Sequence, residues 1–255
     1  MSSRVFLIRH GETEGTEGRK HISTTDNKVS KLGEKQVEET RERYVGEGKL
    51  IDPNRISRIP RTRDRRTCEL LHLGMHHHQH FYDRTTKQTT TTAIPPVTGE
   101  VAEATIQITP SLVEWDYGEY EGLTSGDIHE KRRQAGLDKE RPWSIWEDGC
   151  PGGETPQQVT DRLDELICEM REVIQSTATT WPSGQVVTRA TEEPRDIVCV
   201  GPGQSLAALA MRWTGQPLKY GKRLLIETAG VAILGFEDDD FNQPAIILGW
   251  RPSAR

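Results

Sequence analysis

The apolar run "VFLI" at residues 5–8 ends abruptly in Arg9, His10 and Gly11. A histidine at the end of a buried strand can offer a ring nitrogen as a nucleophile, and an adjacent arginine can fork N–H donors onto the oxygens of a tetrahedral anion. Two distant residues fit the same chemistry. Arg63, in the arginine-rich stretch "PRTRDRRT", could join Arg9 in a two-guanidinium clamp on phosphate. Glu114, in "LVEWDYGEYEG", stands in a loop after an apolar segment, where a carboxylic acid could protonate a leaving oxygen. His10 would then attack phosphorus and form a phosphohistidine. Each residue also has a plainer reading, Arg9 and His10 as a surface pair and Glu114 as an ordinary loop acid.

The stretch "DIVCVGPGQSLAALAMRWTG", residues 196–215, reads as a strand running straight into a helix. Open α/β sheets gather their chemistry at such corners. Here the turn is Gly201, Pro202, Gly203 and Gln204, with no acid, base or nucleophile in it.

These residues need elements to place them. The spacing predicts a strand over 4–8, a surface helix from Ser30 to about Val45 with Ser30 as its N-cap, and a strand near 55–59. A helix with an arginine-rich first turn is expected after Pro60. Val159, Leu163, Leu166, Ile167, Met170, Val173 and Ile174 share one face at helical spacing, so 155–175 reads as a core helix. Further strands are expected at 196–200, 223–226, 231–236 and 245–248, with 183–196 as a linker. Alternating strands and helices make a three-layer α/β/α domain. The whole chain, 1–255, reads as one domain, and the polar, threonine-rich segment at about 74–104 reads as an exposed low-complexity insertion carrying little of the fold.

The net charge of -6 argues against nucleic acid as a partner, because a phosphate backbone calls for a basic face. No window approaches a membrane span of about 20 apolar residues, and the N-terminal apolar run is too short for a signal peptide. A cytoplasmic location is the expectation. Cys68, Cys150, Cys168 and Cys199 are scattered and form no C-x-x-C pair, which points away from zinc knuckles and redox motifs. The run "HHHQH" at 76–80 would need ligands from elsewhere to close a metal site, and "EDDD" at 237–240 reads as a solvated turn. Cys150, in "DGCPGG", has no histidine beside it to activate a thiol.

The stretches "LIRHGETE", "PRTRDRRT", "LVEWDYGEYEG" and "GLDKERPWSIWEDGCPGGETPQQVTDRL" resemble the histidine phosphatase (phosphoglycerate mutase-like) superfamily, and within it most resemble the fungal sedoheptulose-1,7-bisphosphatase branch. The resemblance covers most of the chain, failing mainly in 74–104 and in the linker before 196. It implies a phosphoglycerate mutase-like fold with a mostly parallel, mixed central sheet. It also implies His10 as the phosphorylated nucleophile, Arg9 and Arg63 as phosphate ligands and Glu114 as the proton donor. No metal or organic cofactor is implied, and the expected partner is a small anionic metabolite, with an oligomer left open.

The chain departs from the family pattern at the 196–215 corner. The resemblance implies a second histidine there, in an "H-G-H-x-L-R"-like turn, whereas this sequence has Pro202, Gln204 and Ala207 at the His, His and Arg positions. Near His10, Gly15 replaces the branch's tryptophan and His21 its tyrosine. Losing a preorganised transition-state donor typically costs about 10²- to 10³-fold in rate. A proline at the first helical position leaves no N–H unpaired, so the fold need not suffer. Three functions stay open: hydrolysis of a sugar-phosphate monoester with impaired or altered chemistry, a repurposed acid/base enzyme (isomerase, dehydratase or cyclase) of specialised metabolism, and a catalytically dead phosphometabolite-binding protein.

Overall fold

The computed structural model describes residues 3–14, 20–23, 28–61, 66–73, 78–83, 88–93, 105–175, 178–180, 186–188 and 196–249. The apolar run forms β1 (Val5–Arg9), whose first four residues are buried. Ser30 caps α1 (Lys31–Tyr44), its hydroxyl accepting from the Gly33 amide at 3.0 Å. Then come β2 (Ile56–Arg61), α2 (Arg66–Leu70), β3 (His78–Asp83), β4 (Gln88–Ala93) and β5 (Thr105–Ile108). Two short helices follow, α3 (Ser125–Gln134) and α4 (Ile145–Asp148), before the long α5 (Pro156–Gln175). The chain ends with β6 (Ala178–Thr180), β7 (Val186–Thr188), β8 (Asp196–Gly201), α6 (Gly203–Trp213), β9 (Val231–Phe236) and β10 (Pro244–Ile247).

Eight strands form one sheet in the order β10-β9-β1-β8-β2-β5-β3-β4, and β6 and β7 form a separate ribbon, β6 before the expected linker and β7 inside it. The four pairings from β1 through β8, β2 and β5 to β3 are parallel, and the three involving β9, β10 and β4 are antiparallel. Within 74–104, β3 and β4 extend the sheet beyond β5 as an edge hairpin, outside the strands that carry the site.

Side chains alternate across a strand, so β1 and β8 serve two cores at once. Val5, Leu7, Ile197 and Cys199 pack with α5, α6 and the tryptophans Trp115, Trp143 and Trp146. Phe6, Ile8, Val198 and Val200 pack on the opposite face with Val37 of α1 and with Cys68 and Leu70 of α2. This is the three-layer α/β/α arrangement, with α5 buried along the predicted stripe except at Val173, which is partly buried against it.

Three expectations need correction. Residues 223–226 are not a strand: a 3-10 turn runs from Leu218 to Arg223, and Leu225 is left exposed. Ile226 spends its carbonyl on the Arg9 side chain, not on a ladder. Arg61 does not open a helix, because β2 continues through Pro60 to Arg61; α2 is described from Arg66, and residues 62–65 lie outside the described residues. Pro202 is the N-cap of α6 and not its first helical residue, with extended backbone at φ -78 and ψ 156.

Candidate active site

The helices that follow β1 and β8 leave toward opposite faces of the sheet, α1 to one core and α6 to the other. A crevice outside the strands' carboxyl ends is the consequence, and ligands bind at such switch points in α/β sheets. Arg9 and His10 emerge there. The His10 amide donates to the Gly201 carbonyl at 3.1 Å and its carbonyl accepts from Ala229 at 3.2 Å, so the backbone under the ring is held from both sides.

The ring is held too. Nδ1 lies 2.8 Å from the Gly11 carbonyl, an acceptor only, which places a proton on Nδ1, so that the neutral ring carries its lone pair on Nε2. This arrangement depends on glycine, because a Cβ on Gly11 would lie 2.5 Å from the Gly33 carbonyl at the start of α1. Arg9 donates through Nη1 to the Ile226 carbonyl at 3.0 Å, while its buried Nε has no partner among the described residues. Its guanidinium lies against the first residue of α6, with Nε 3.0 Å from where a Cβ of Gly203 would stand.

Glu114 comes to the same corner from the loop after β5. Its Oε1 accepts from the Trp115 amide at 3.0 Å and the Ser205 amide at 3.2 Å, while the Ser205 hydroxyl, 3.3 Å away, gives its one proton to the Val113 carbonyl at 2.5 Å. Pro202 supplies no side-chain cap to α6, and the Glu114 carboxyl takes that place. Burial pushes the carboxyl above its ordinary range, against the opposing pull of the Trp115 and Gln204 amides, the His10 ring and Arg162. A carboxyl so placed keeps its proton to higher pH than an ordinary glutamate does.

The loop is pinned by residues that sequence reasoning did not single out. Arg162 of α5 grips both carboxylate oxygens of Glu154 at 2.7 and 3.0 Å and also donates to the Ser111 carbonyl at 2.7 Å. Glu154 in turn accepts from the Asp116 amide, and its carbonyl accepts from the Trp115 indole, both at 3.0 Å. The "PGGET" segment therefore works as a brace for Glu114. In the sequence the segment stands within the stretch that carries the family resemblance, but nothing in its spacing marks Arg162 or Glu154 as a brace.

The structure thus brings together Arg9, His10, Glu114 and Gln204. Pro202 is buried at the cap of α6, and Ala207 faces the core at 2% exposure, away from any polar role. Arg63 and Gly15 lie outside the described residues, as do the side chains of the 76–80 histidine run. His21 is committed elsewhere: its ring packs 4.8 Å from that of Tyr117, and Nε2 meets the Ser125 hydroxyl at 3.1 Å. Burial lowers its pKa, with Glu121 opposing. Cys150 is buried, its thiol pushed up to about 12 by burial and by Asp116 and Glu154, which suits a structural thiol and not a nucleophile. Among the described residues no cluster of three or more His, Cys, Asp or Glu side chains could hold a metal ion. No described helix is long and apolar enough to cross a membrane.

The mixed sheet with helices on both faces, its central β1 ending at Arg9 just before His10, is a phosphoglycerate mutase-like α/β fold. The family model of the histidine phosphatase superfamily (branch 1) matches residues 5–84 and 86–246, and the chain belongs to that superfamily. It is 32% identical over 177 residues to the sedoheptulose 1,7-bisphosphatase of Saccharomyces cerevisiae, an alignment covering 68% of this chain and 57% of that enzyme. It is 30% identical over 234 residues to an acid phosphatase of Mycobacterium tuberculosis, covering 92% of this chain and 87% of the other. Among solved structures, an open reading frame product of Mycobacterium tuberculosis superposes with a TM-score of 0.65 at 26% identity, covering 97% of both chains.

Proposed function

We propose that the protein hydrolyses the phosphate monoester of a small phosphorylated metabolite, of the sugar-phosphate class, through a phosphohistidine on His10, at a rate impaired by Pro202. The observation that carries this reading is the His10 ring, held through Nδ1 by the Gly11 carbonyl so that Nε2 is the nitrogen left for attack, with Glu114, a carboxyl whose pKa burial raises, near enough to interact with it. In the first step Nε2 attacks phosphorus, the P–O bond to the leaving group breaks, and Glu114 gives its proton to that oxygen. In the second, the Glu114 carboxylate takes a proton from water as the water oxygen attacks phosphorus, the N–P bond breaks, and inorganic phosphate leaves. Arg9, with Nε unspent, holds the phosphoryl oxygens, and Arg63 is assigned the same task by the family resemblance.

The relatives' names support a phosphatase, and the yeast enzyme's name supports a sugar-phosphate substrate. The test is phosphate release from a panel of sugar phosphates and p-nitrophenyl phosphate. His10→Ala is expected to lower any turnover by at least about 10³-fold, as loss of a covalent nucleophile does. Turnover that survives this substitution rejects the phosphohistidine route.

One observation favours a second reading. A buried proline caps the helix where the family resemblance places a histidine, so a charge that develops there meets no side-chain donor from that position. His10 and Glu114 could then serve as a base and acid in a non-hydrolytic reaction on an anchored anion. Pro202→His separates the two: a gain in phosphate release favours impaired hydrolysis, and silence in both proteins favours the non-hydrolytic use.

A further inference from the structure

The side chain beside the proline has been recruited by another residue. Gln204 follows Gly203, against which the Arg9 guanidinium lies. Its Oε1 accepts a hydrogen bond from the hydroxyl of Tyr117, a buried residue of the Glu114 loop. A glutamine amide has its acceptor and its two donors on separate branches, so committing Oε1 to Tyr117 turns Nε2 the other way. No described residue accepts from that nitrogen.

Tyr117 is suited to fixing the amide. Its ring is held by the packing of His21 at 4.8 Å, and its hydroxyl remains a proton donor because burial and the nearby Glu114, Cys150 and Glu121 hold its pKa well above the ordinary value. Arg9 and Glu114 both act on it electrostatically, which places the Tyr117–Gln204 pair among the residues of the proposed site. Two unspent donors, Arg9 Nε and Gln204 Nε2, thus belong to side chains flanking the same glycine.

We propose that the Gln204 side-chain amide, oriented by Tyr117, donates to an oxygen of the bound phosphoryl group and supplies a neutral donor at the corner where Pro202 supplies none. Gln204 is the contacting group, and Tyr117 is a positioning residue that acts through it. The rate consequence rests on the hydrolysis reading, whereas the binding consequence does not.

The probe is orthovanadate, which adopts the five-coordinate geometry of phosphoryl transfer, with dissociation constants measured by calorimetry and p-nitrophenyl phosphate turnover followed in parallel. Gln204→Glu keeps the shape and the acceptor for Tyr117 but removes the donors, and is expected to weaken vanadate binding about 100-fold, as the loss of one preorganised donor does. Gln204→Leu should weaken it comparably, and Tyr117→Phe about tenfold, with kcat falling more than KM rises in any measurable turnover. Tyr117→Phe added to Gln204→Leu should cost nothing further, which a merely structural role for Tyr117 would not produce. Vanadate binding within twofold of the unmodified protein in Gln204→Glu, multiplied losses in the double variant, or no vanadate binding by the unmodified protein each overturns the proposal. If the vanadate pattern holds while no monoester is hydrolysed, the donor assignment stands and the hydrolysis reading fails.

Discussion

At the scale of single residues, the proposed hydrolysis asks Glu114 to be both a cap and an acid. Its carboxyl accepts from the Trp115 amide in its own loop and from the Ser205 amide at the start of α6, bonds that favour the charged form, yet burial outweighs them and raises its pKa. Two consequences follow from the sign. As a proton donor it must be protonated, so kcat/KM is expected to fall as pH rises through its folded pKa, and Glu114→Gln should abolish that limb while lowering the rate by about 10²- to 10⁴-fold. For stability, a carboxyl raised in the folded state contributes fully below its unfolded pKa and loses that contribution as pH rises through the folded value. Glutamine keeps an oxygen to cap the helix without the charge. Thermal unfolding of Glu114→Gln should therefore show a higher Tm than the native protein near neutrality, with the gap closing toward pH 4. A variant no more stable at either pH would mean that burial of this carboxylate is not a cost the fold carries.

Among the elements, α6 shows how closely secondary structure is fitted to the site. Gly203 is its first residue, a place where alanine would favour the helix by local propensity. A Cβ there would sit 3.0 Å from Nε and 3.2 Å from Cδ and Cζ of Arg9. Gly203→Ala is expected to leave the Tm within a few degrees of native and to weaken vanadate binding about tenfold, because what yields is the flexible end of Arg9 and not the backbone. Unchanged binding would mean that Arg9 reaches the ligand from another direction. The strands and helices that carry this corner were legible because their signals are strong: four apolar residues before Arg9, and the stripe from Val159 to Ile174. Other elements were not. α3 buries only Ile128, so it has almost no apolar face to read, although Thr124 and Asp127 form a capping box that marks its start. The "RLLI" run at 223–226 imitates a strand in composition, and only the long-range bond from Arg9 to the Ile226 carbonyl reveals why it pairs with nothing. Glu114 and His10 could be named from residue type and family resemblance, but the Tyr117–Gln204 bond joins residues 87 positions apart and left no periodic trace.

Taken as a whole molecule, the domain separates its chemistry from its anchoring. The site occupies the carboxyl ends of β1 and β8, whereas the start of β8 carries Asp196, a fully buried carboxylate. It accepts from the Arg4 amide and guanidinium, both at 2.9 Å, and from Arg55 Nε at 3.3 Å. One acid thus ties together the amino-terminal approaches to β1, β8 and β2, the three adjacent strands at the centre of the sheet. Truncating one partner of such a cluster leaves charge without compensation, and this costs more than the intact interaction contributes. Asp196→Ala is expected to destabilise the protein by about 3 kcal/mol, a loss readable as a shift in the urea midpoint at unchanged slope. Because β1 and β8 must still pair in register for the molecule to fold, the surviving folded fraction should bind vanadate as tightly as native. A variant that keeps its stability but loses binding would show that the two ends of the sheet are mechanically coupled, and would move Asp196 from anchoring the fold to shaping the site.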